Sequence, residues 1–383
     1  MTVTHPAGFR AAGVAAGLKS SGDPDVALVV NDGPHDAAAA VFTTNRFPAA
    51  PVLWSRQVLA EGRARAVVLN SGGANACTGP DGFADTHATA EHVAEQLGIG
   101  AIDVAVASTG LIGIRLPMDR LTAGVTAAAA TLSTEGGADA ARAIMTTDSV
   151  PKTTVQARDG WSIGGMAKGA GMLAPSLATM LVVLTTDAVV PAELLGPALR
   201  TATALSVERV DSDGCLSTND TVVVLSSGAS GVTPTPEEFA EALQAASLDL
   251  AMQLLADAEG STKDIAITVR NAATVADALT AGRACARNNL LKTALFGNDP
   301  NWGRVLAAIG TTDAAFEADR VDVTINGVTV CRGGAIGDDR DGVDLTGRAV
   351  TIDVDLAAGS EQATIWTNDL SIAYVHENSA YST

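Results

Sequence analysis

The sequence predicts an α/β protein, a large body followed by a smaller α/β lobe. Short apolar runs alternate with Ala-rich helical stretches through the first two thirds of the chain. From residue 321 the texture changes to alternating β segments punctuated by glycine. At 383 residues and 47% apolar content, mostly Ala and Val, the chain has length for a substantial core packed on small side chains.

Residues 26–30, 66–70, 104–107 and 180–184 read as strands, because each is a short apolar run ended by a polar or glycine-bearing turn. Residues 84–97 and 118–130 read as helices. The clearest helix is 236–256: Thr235 caps it, Pro236 takes its first position, and Glu238 completes a capping box. Its Phe239, Leu243, Leu250 and Leu254 lie along one face. A strand over 265–269 and a helix over 271–287 follow. Residues 321–325, 328–331, 350–354 and 363–366 then alternate as strands, with Asn326-Gly327 and the stretch 333–342 as turns. The expected division is 1–262 for the main domain and 263–369 for the lobe.

A net charge of −19 argues against nucleic acid or an anionic membrane surface as partner, since both need basic patches. The four cysteines are dispersed, with no CxxC or Cys/His cluster, which points to neither zinc nor disulfides and fits a reducing cytosol. No secretory leader and no run of about 20 apolar residues is found, so the expected place is the cytoplasm. The five histidines form no spaced pair, so metal catalysis and a Ser/His/Asp triad lack their parts. GGMAKGAG matches no phosphate-cradling loop, and Asp211-Ser-Asp213-Gly214 stops two acids into a calcium pattern. No metal or cofactor is expected.

The segment 164–180, GGMAKGAGMLAPSLATM, carries the chemistry. A threonine hydroxyl is a weak nucleophile at neutral pH and needs a base. In mid-chain, the Thr179 hydroxyl could attack the Ala178 carbonyl, and hydrolysis of the resulting ester would free the Thr179 α-amine. That amine titrates near pH ~7.7–8.0, so nucleophile and base would come from one residue. Ala178 leaves the carbonyl sterically open, and Gly169, Gly171 and Pro175 shape the path. The plainer reading is that Thr179 begins a buried strand. Similarly, the turn Ser108-Thr109-Gly110 after a strand could aim a hydroxyl and an N–H at an oxyanion, or simply cap a turn. Lys168 is a lone cation in a glycine-rich apolar loop, where a substrate carboxylate would explain it; a solvated surface charge is the alternative.

The stretch KGAGMLAPSLATML closely resembles the cleavage motif of the ornithine acetyltransferases, the glutamate N-acetyltransferases of arginine biosynthesis. Residues 70–79 (NSGGANACTG), 108–113 (STGLIG), 144–148 (IMTTD), 217–221 (STNDT), 299–304 (DPNWGR) and 377–383 (ENSAYST) resemble the same family in the same order. Gly73 departs from it, standing where many members have Asn. The resemblance implies a layered αββα main domain, with the tail 370–383 returning from the lobe to the site. It implies self-cleavage between Ala178 and Thr179, Thr179 as nucleophile, and Thr109 and Gly110 as the oxyanion stabiliser. Substrate contacts would come from Lys168, from Thr146 or Thr147, from Glu259 facing a substrate ammonium, and from Asn378 and Thr383. The implied reaction is ping-pong acetyl transfer from N2-acetyl-L-ornithine to L-glutamate. The resemblance leaves open whether acetyl-CoA also serves as donor, and it implies an α2β2 assembly of the cleaved chains. Two other readings stay open: an N-terminal-nucleophile amidase or aminopeptidase, and an uncleaved, non-catalytic ligand-binding protein.

Overall fold

The apolar runs of the body become two stacked sheets. In this computed structural model the described residues are 2–174 and 180–380; Ala178, Thr179 and Thr383 lie outside them. The body begins with β1 (Phe9–Val14), β2 (Val26–Asn31), β3 (Ala37–Phe42), α1 (Ala50–Val58), β4 (Ala66–Asn70) and α2 (Gly79–Leu97). Next come β5 (Val104–Ser108), α3 (Met118–Ala130), α4 (Gly137–Ala143), β6 (Lys152–Arg158) and β7 (Trp161–Lys168). Then β8 (Leu181–Thr186), α5 (Ala192–Ala204), β9 (Thr221–Ser226) and α6 (Pro236–Ala256) complete it.

One sheet runs β1-β2-β4-β5 and the other β3-β9-β8-β7-β6. Alternation along the second sheet decides what each face covers. Val183, Val223 and Leu225 join the apolar core shared with the first sheet. Their neighbours Val182, Leu184, Val222 and Val224 join a second core with Leu195 and Leu199 of α5 and Leu243, Leu250 and Leu254 of α6. On the far side of the first sheet, α2 and α3 pack with Val93, Leu121 and Val125 fully buried. The order of layers is αββα.

The remaining sheet, β13-β12-β11-β14-β10-β15, belongs to the smaller α/β lobe. Its elements are β10 (Asp264–Ala272), α7 (Val275–Ala286), α8 (Asn289–Phe296), α9 (Trp302–Ile309), β11 (Asp322–Ile325), β12 (Val328–Arg332), β13 (Ala335–Ile336), β14 (Ala349–Asp355) and β15 (Glu361–Asn368). Lys292 of α8 docks the lobe on the body, its ammonium donating to the carbonyls of Ser212 and Asn368 and to the Thr367 hydroxyl. Burial brings its pKa down to about 8, against Asp211, Asp213 and Asp369. The closing helix, α10 (Ile372–Ala380), then lies against the end of the body, where the Ser371 hydroxyl donates to Gly260 O.

The capping box on α6 forms as expected, with Thr235 accepting from the Glu238 N–H at 3.2 Å and Glu238 accepting from the Thr235 N–H at 2.9 Å. Two expectations need correction. The helix expected over 84–97 starts earlier, at Gly79, with a proline in its first turn. The stretch 271–287 is not all helix: β10 runs through Ala272 because it pairs with β14 and β15 together, and the helix starts only at Val275, after the cap Thr274.

Candidate active site

β5 delivers the Thr109-Gly110 turn, and two segments hold it rigid. The Thr109 N–H donates to Asn70 O and the Gly73 N–H to Thr109 O, each at 2.9 Å. Asn70 Nδ2 donates to the Ser108 hydroxyl at 2.6 Å. From the segment before β9, Asn219 Nδ2 donates to Ala74 O at 2.6 Å and Ser108 O at 2.7 Å. The resembling segments 70–79 and 217–221 are therefore the scaffold of this turn. Gly110 has φ +127, and a Cβ on it would stand 2.8 Å from Gly73 N, so only glycine fits. Its N–H makes no hydrogen bond to another described residue.

Lys168 is not in a loop and not solvated. It is the last residue of β7, 2% exposed, in register with Leu181 at the start of β8. Its ammonium donates to the Thr109 hydroxyl oxygen at 3.3 Å. That hydroxyl thus receives a hydrogen bond from a cation and keeps its own hydrogen for another acceptor. Burial lowers the Lys168 pKa and Lys152 adds to this, while Asp148, Asp220 and Glu259 oppose it.

A buried charge cluster ties the loops together. Asp148 Oδ1 accepts the Lys152 ammonium and the Gly169 N–H, both at 2.6 Å, and Oδ2 accepts the Thr146 N–H at 3.0 Å. Lys152, fully buried, also reaches Asp257 at 2.6 Å, just ahead of Glu259. Burial would raise the Asp148 carboxyl, but Lys168, Lys152 and the Gly169 N–H outweigh it and hold the group below its ordinary 3.8. Asp148→Asn is expected to destabilise the fold by about 3 kcal/mol at neutral pH, since it removes one partner of a buried pair. Because the folded pKa is depressed, this contribution is complete above pH 3.8 and disappears as pH falls through the lowered value. Denaturant melts at pH 7 and pH 3 check it: the gap between variant and wild type should narrow in acid.

The Glu259 N–H donates to Ala170 O at 2.9 Å, and a Cβ on Gly171 would lie 2.7 Å from the Glu259 carboxylate. The bare Gly171 backbone is what lets that carboxylate lie across the loop. Asn378 of α10 is exposed, its amide donating to Tyr374 O at 3.0 Å.

One cleft is lined by Thr109, Gly110, Thr146, Thr147, Lys168, Glu259 and Asn378, together with Gly171 and Met172. All seven described residues singled out from the sequence meet there, and both Thr146 and Thr147 line it. Ala178, Thr179 and Thr383 fall outside the described residues, although Met180, next to Thr179, donates its N–H to Asp220 Oδ1 at 3.2 Å. The sequence reading overlooked Asp148, Lys152 and Asp220. Two of these sit inside the resembling segments IMTTD and STNDT. Asp211 and Asp213 serve as supports: Asp211 pairs with Arg287 at 2.8 Å, and Asp213 accepts from the Leu173 N–H at 3.1 Å. Among the described residues no cluster suited to a metal ion occurs, and no helix is long and apolar enough to cross a membrane.

A model of the ArgJ family matches residues 10–383. The chain is similar to the arginine biosynthesis bifunctional protein ArgJ of Streptomyces coelicolor, 65% identical with 100% of both chains covered. The protein of that name from Thermobifida fusca is 63% identical, again over 100% of both. A solved ornithine acetyltransferase from Mycobacterium tuberculosis, complexed with ornithine, is 62% identical over 47% of this chain and 96% of its own, at a TM-score of 0.45. With a family match from residue 10 to 383 and likeness to relatives along their whole length, this chain belongs to the ArgJ family.

Proposed function

We propose that this acyltransferase of arginine biosynthesis moves an acetyl group from N2-acetyl-L-ornithine to L-glutamate through an acetyl-Thr179 ester. The observation that supports it best is the convergence, in one cleft, of an oxyanion-type turn, a buried lysine and a carboxylate drawn from distant parts of the chain. The chain cuts itself between Ala178 and Thr179, and the freed α-amine takes the proton of the Thr179 hydroxyl as that oxygen attacks the acetyl carbonyl. The Thr109 hydroxyl and the Gly110 N–H stabilise the resulting oxyanion. Ornithine leaves with the proton, and the glutamate amine then attacks the ester, restoring the hydroxyl. One amide replaces another, so the exchange needs no energy source.

Lys168 provides the cation for a substrate carboxylate, and Glu259 the anion for the ornithine side-chain ammonium. Thr146, Thr147, Asn378 and Thr383 supply further hydrogen bonds. The residues before and after the cut form two chains that stay together and pair again as α2β2. The relatives carry the name bifunctional, which supports acetyl-CoA as a second donor to the same threonine.

The test is incubation with labelled acetylornithine, with and without glutamate, and with acetyl-CoA plus glutamate in a separate arm. Labelled N-acetylglutamate should appear only when glutamate is present, and intact mass should place the break before Thr179. Free acetate released at the same rate without glutamate would instead make the protein an amidase.

A further inference from the structure

Met172 has φ +54, in the left-handed region that long side chains seldom adopt. The backbone on both sides imposes that conformation. Before it, the Gly169 N–H donates to Asp148 at 2.6 Å and Ala170 O accepts the Glu259 N–H at 2.9 Å. After it, the Leu173 N–H donates to Asp213 at 3.1 Å, Leu173 O accepts the Ser212 N–H at 2.5 Å, and the Leu173 side chain is fully buried. Strain of this kind persists where the surroundings over-determine it, and it gathers at functional sites. Glycine at 172 would carry no such strain, so a methionine there calls for a use for its side chain.

That side chain is half-buried and lines the candidate cleft. Among the described lining residues it is the sole apolar one; the others are threonines, glycines, a lysine, a glutamate and an asparagine. The cleft is also small. Its volume is about 70 Å³, little more than twice the ~30 Å³ that a water occupies in the liquid. An acyl group whose oxygen lies on the Thr109 hydroxyl and the Gly110 N–H has its next carbon about 2.4 Å from that oxygen, by the standard C=O and C–C lengths. The methyl of an acetyl group is thereby confined to this cleft, where Met172 offers it hydrocarbon and a soft thioether.

We propose that Met172 sets the acyl-chain length, its side chain forming the wall against which an acetyl methyl packs and which a third acyl carbon meets. This rests on the reading of Thr109 and Gly110 as the oxyanion stabiliser. Met172 makes and breaks no bond. It discriminates between acyl donors by filling space.

The test compares kcat/KM for N2-acetyl-L-ornithine and N2-propionyl-L-ornithine, with glutamate as acceptor. Wild type should favour the acetyl donor by about 10–200-fold, the range for one methylene in a fitted pocket. Met172→Ala should narrow that preference by about tenfold or more, mostly through a faster propionyl reaction. Met172→Leu keeps the bulk and should keep the preference. Met172→Gly, which the positive φ suits, makes the same comparison with the strain removed and serves if the alanine chain folds poorly. An unchanged preference in both small variants overturns the assignment, as does a wild type that takes the two donors equally. Thr109→Val run alongside separates the two ideas: wild-type kcat from it brings down the oxyanion reading and this proposal with it. A crippled Thr109→Val beside Met172 variants of unchanged preference removes only the part given to Met172.

Discussion

Thr179→Ala is expected to leave one uncut chain and to abolish acetyl transfer, with kcat down by on the order of 10⁴-fold or more. The size follows from the double use of one residue. Without the hydroxyl the peptide bond before residue 179 has no attacking group, so the α-amine is never exposed. Nucleophile and base then disappear together, and only binding and the oxyanion turn remain. A denaturing gel and an intact mass at the full 38.5 kDa check the first half, and the labelled-acetyl assay checks the second. Wild-type rates from an intact Thr179→Ala chain would remove the mechanism altogether.

The next largest effect is expected at Thr109. Thr109→Val keeps the shape of the side chain and deletes its donor, and kcat should fall about 10²–10³-fold, the range for one lost oxyanion donor. KM should change far less, because the hydroxyl acts on charge that exists only in the transition state. The interaction with Lys168 makes Thr109→Ser the proper control: it restores both the acceptor for the ammonium and the donor for the oxyanion, and should recover most of kcat. If Thr109→Val retained wild-type kcat, the hydroxyl would be only a rest for Lys168.

How legible this was in the sequence depended on what kind of signal each residue carried. The α6 capping box and the apolar strands of the first sheet are local patterns, and the chain displays them openly. β3 and β7 were hidden for opposite reasons. The run AAAAVF of β3 has helical composition and becomes a strand only because β9 pairs along it. In β7, WSIGGMAK, two glycines read as a loop, yet a Cβ on Gly164 would lie 2.4 Å from Thr2 O and one on Gly165 2.8 Å from a Leu184 methyl. Those glycines mark close packing between layers. That misreading also placed Lys168 in a loop, when it is the buried end of a strand. The proposed oxyanion turn and substrate residues stand out only through the family resemblance, since a lone Thr-Gly turn carries little information. Asp148, Lys152 and Asp220 escaped because burial leaves no periodic trace, and the Lys152–Asp257 pair closes across 105 residues.

The five-stranded sheet has a consequence for the life of the molecule. In the order β3-β9-β8-β7-β6, strands from before and after residue 179 are interleaved, with β3 on β9 and β7 on β8. A chain that folds first and is cut later is thus woven from two pieces that never had to find each other. Once denatured, those pieces must reassemble as separate molecules, so recovery should slow on dilution and thermal damage should be hard to reverse, although the uncut precursor refolds from a single strand of chain.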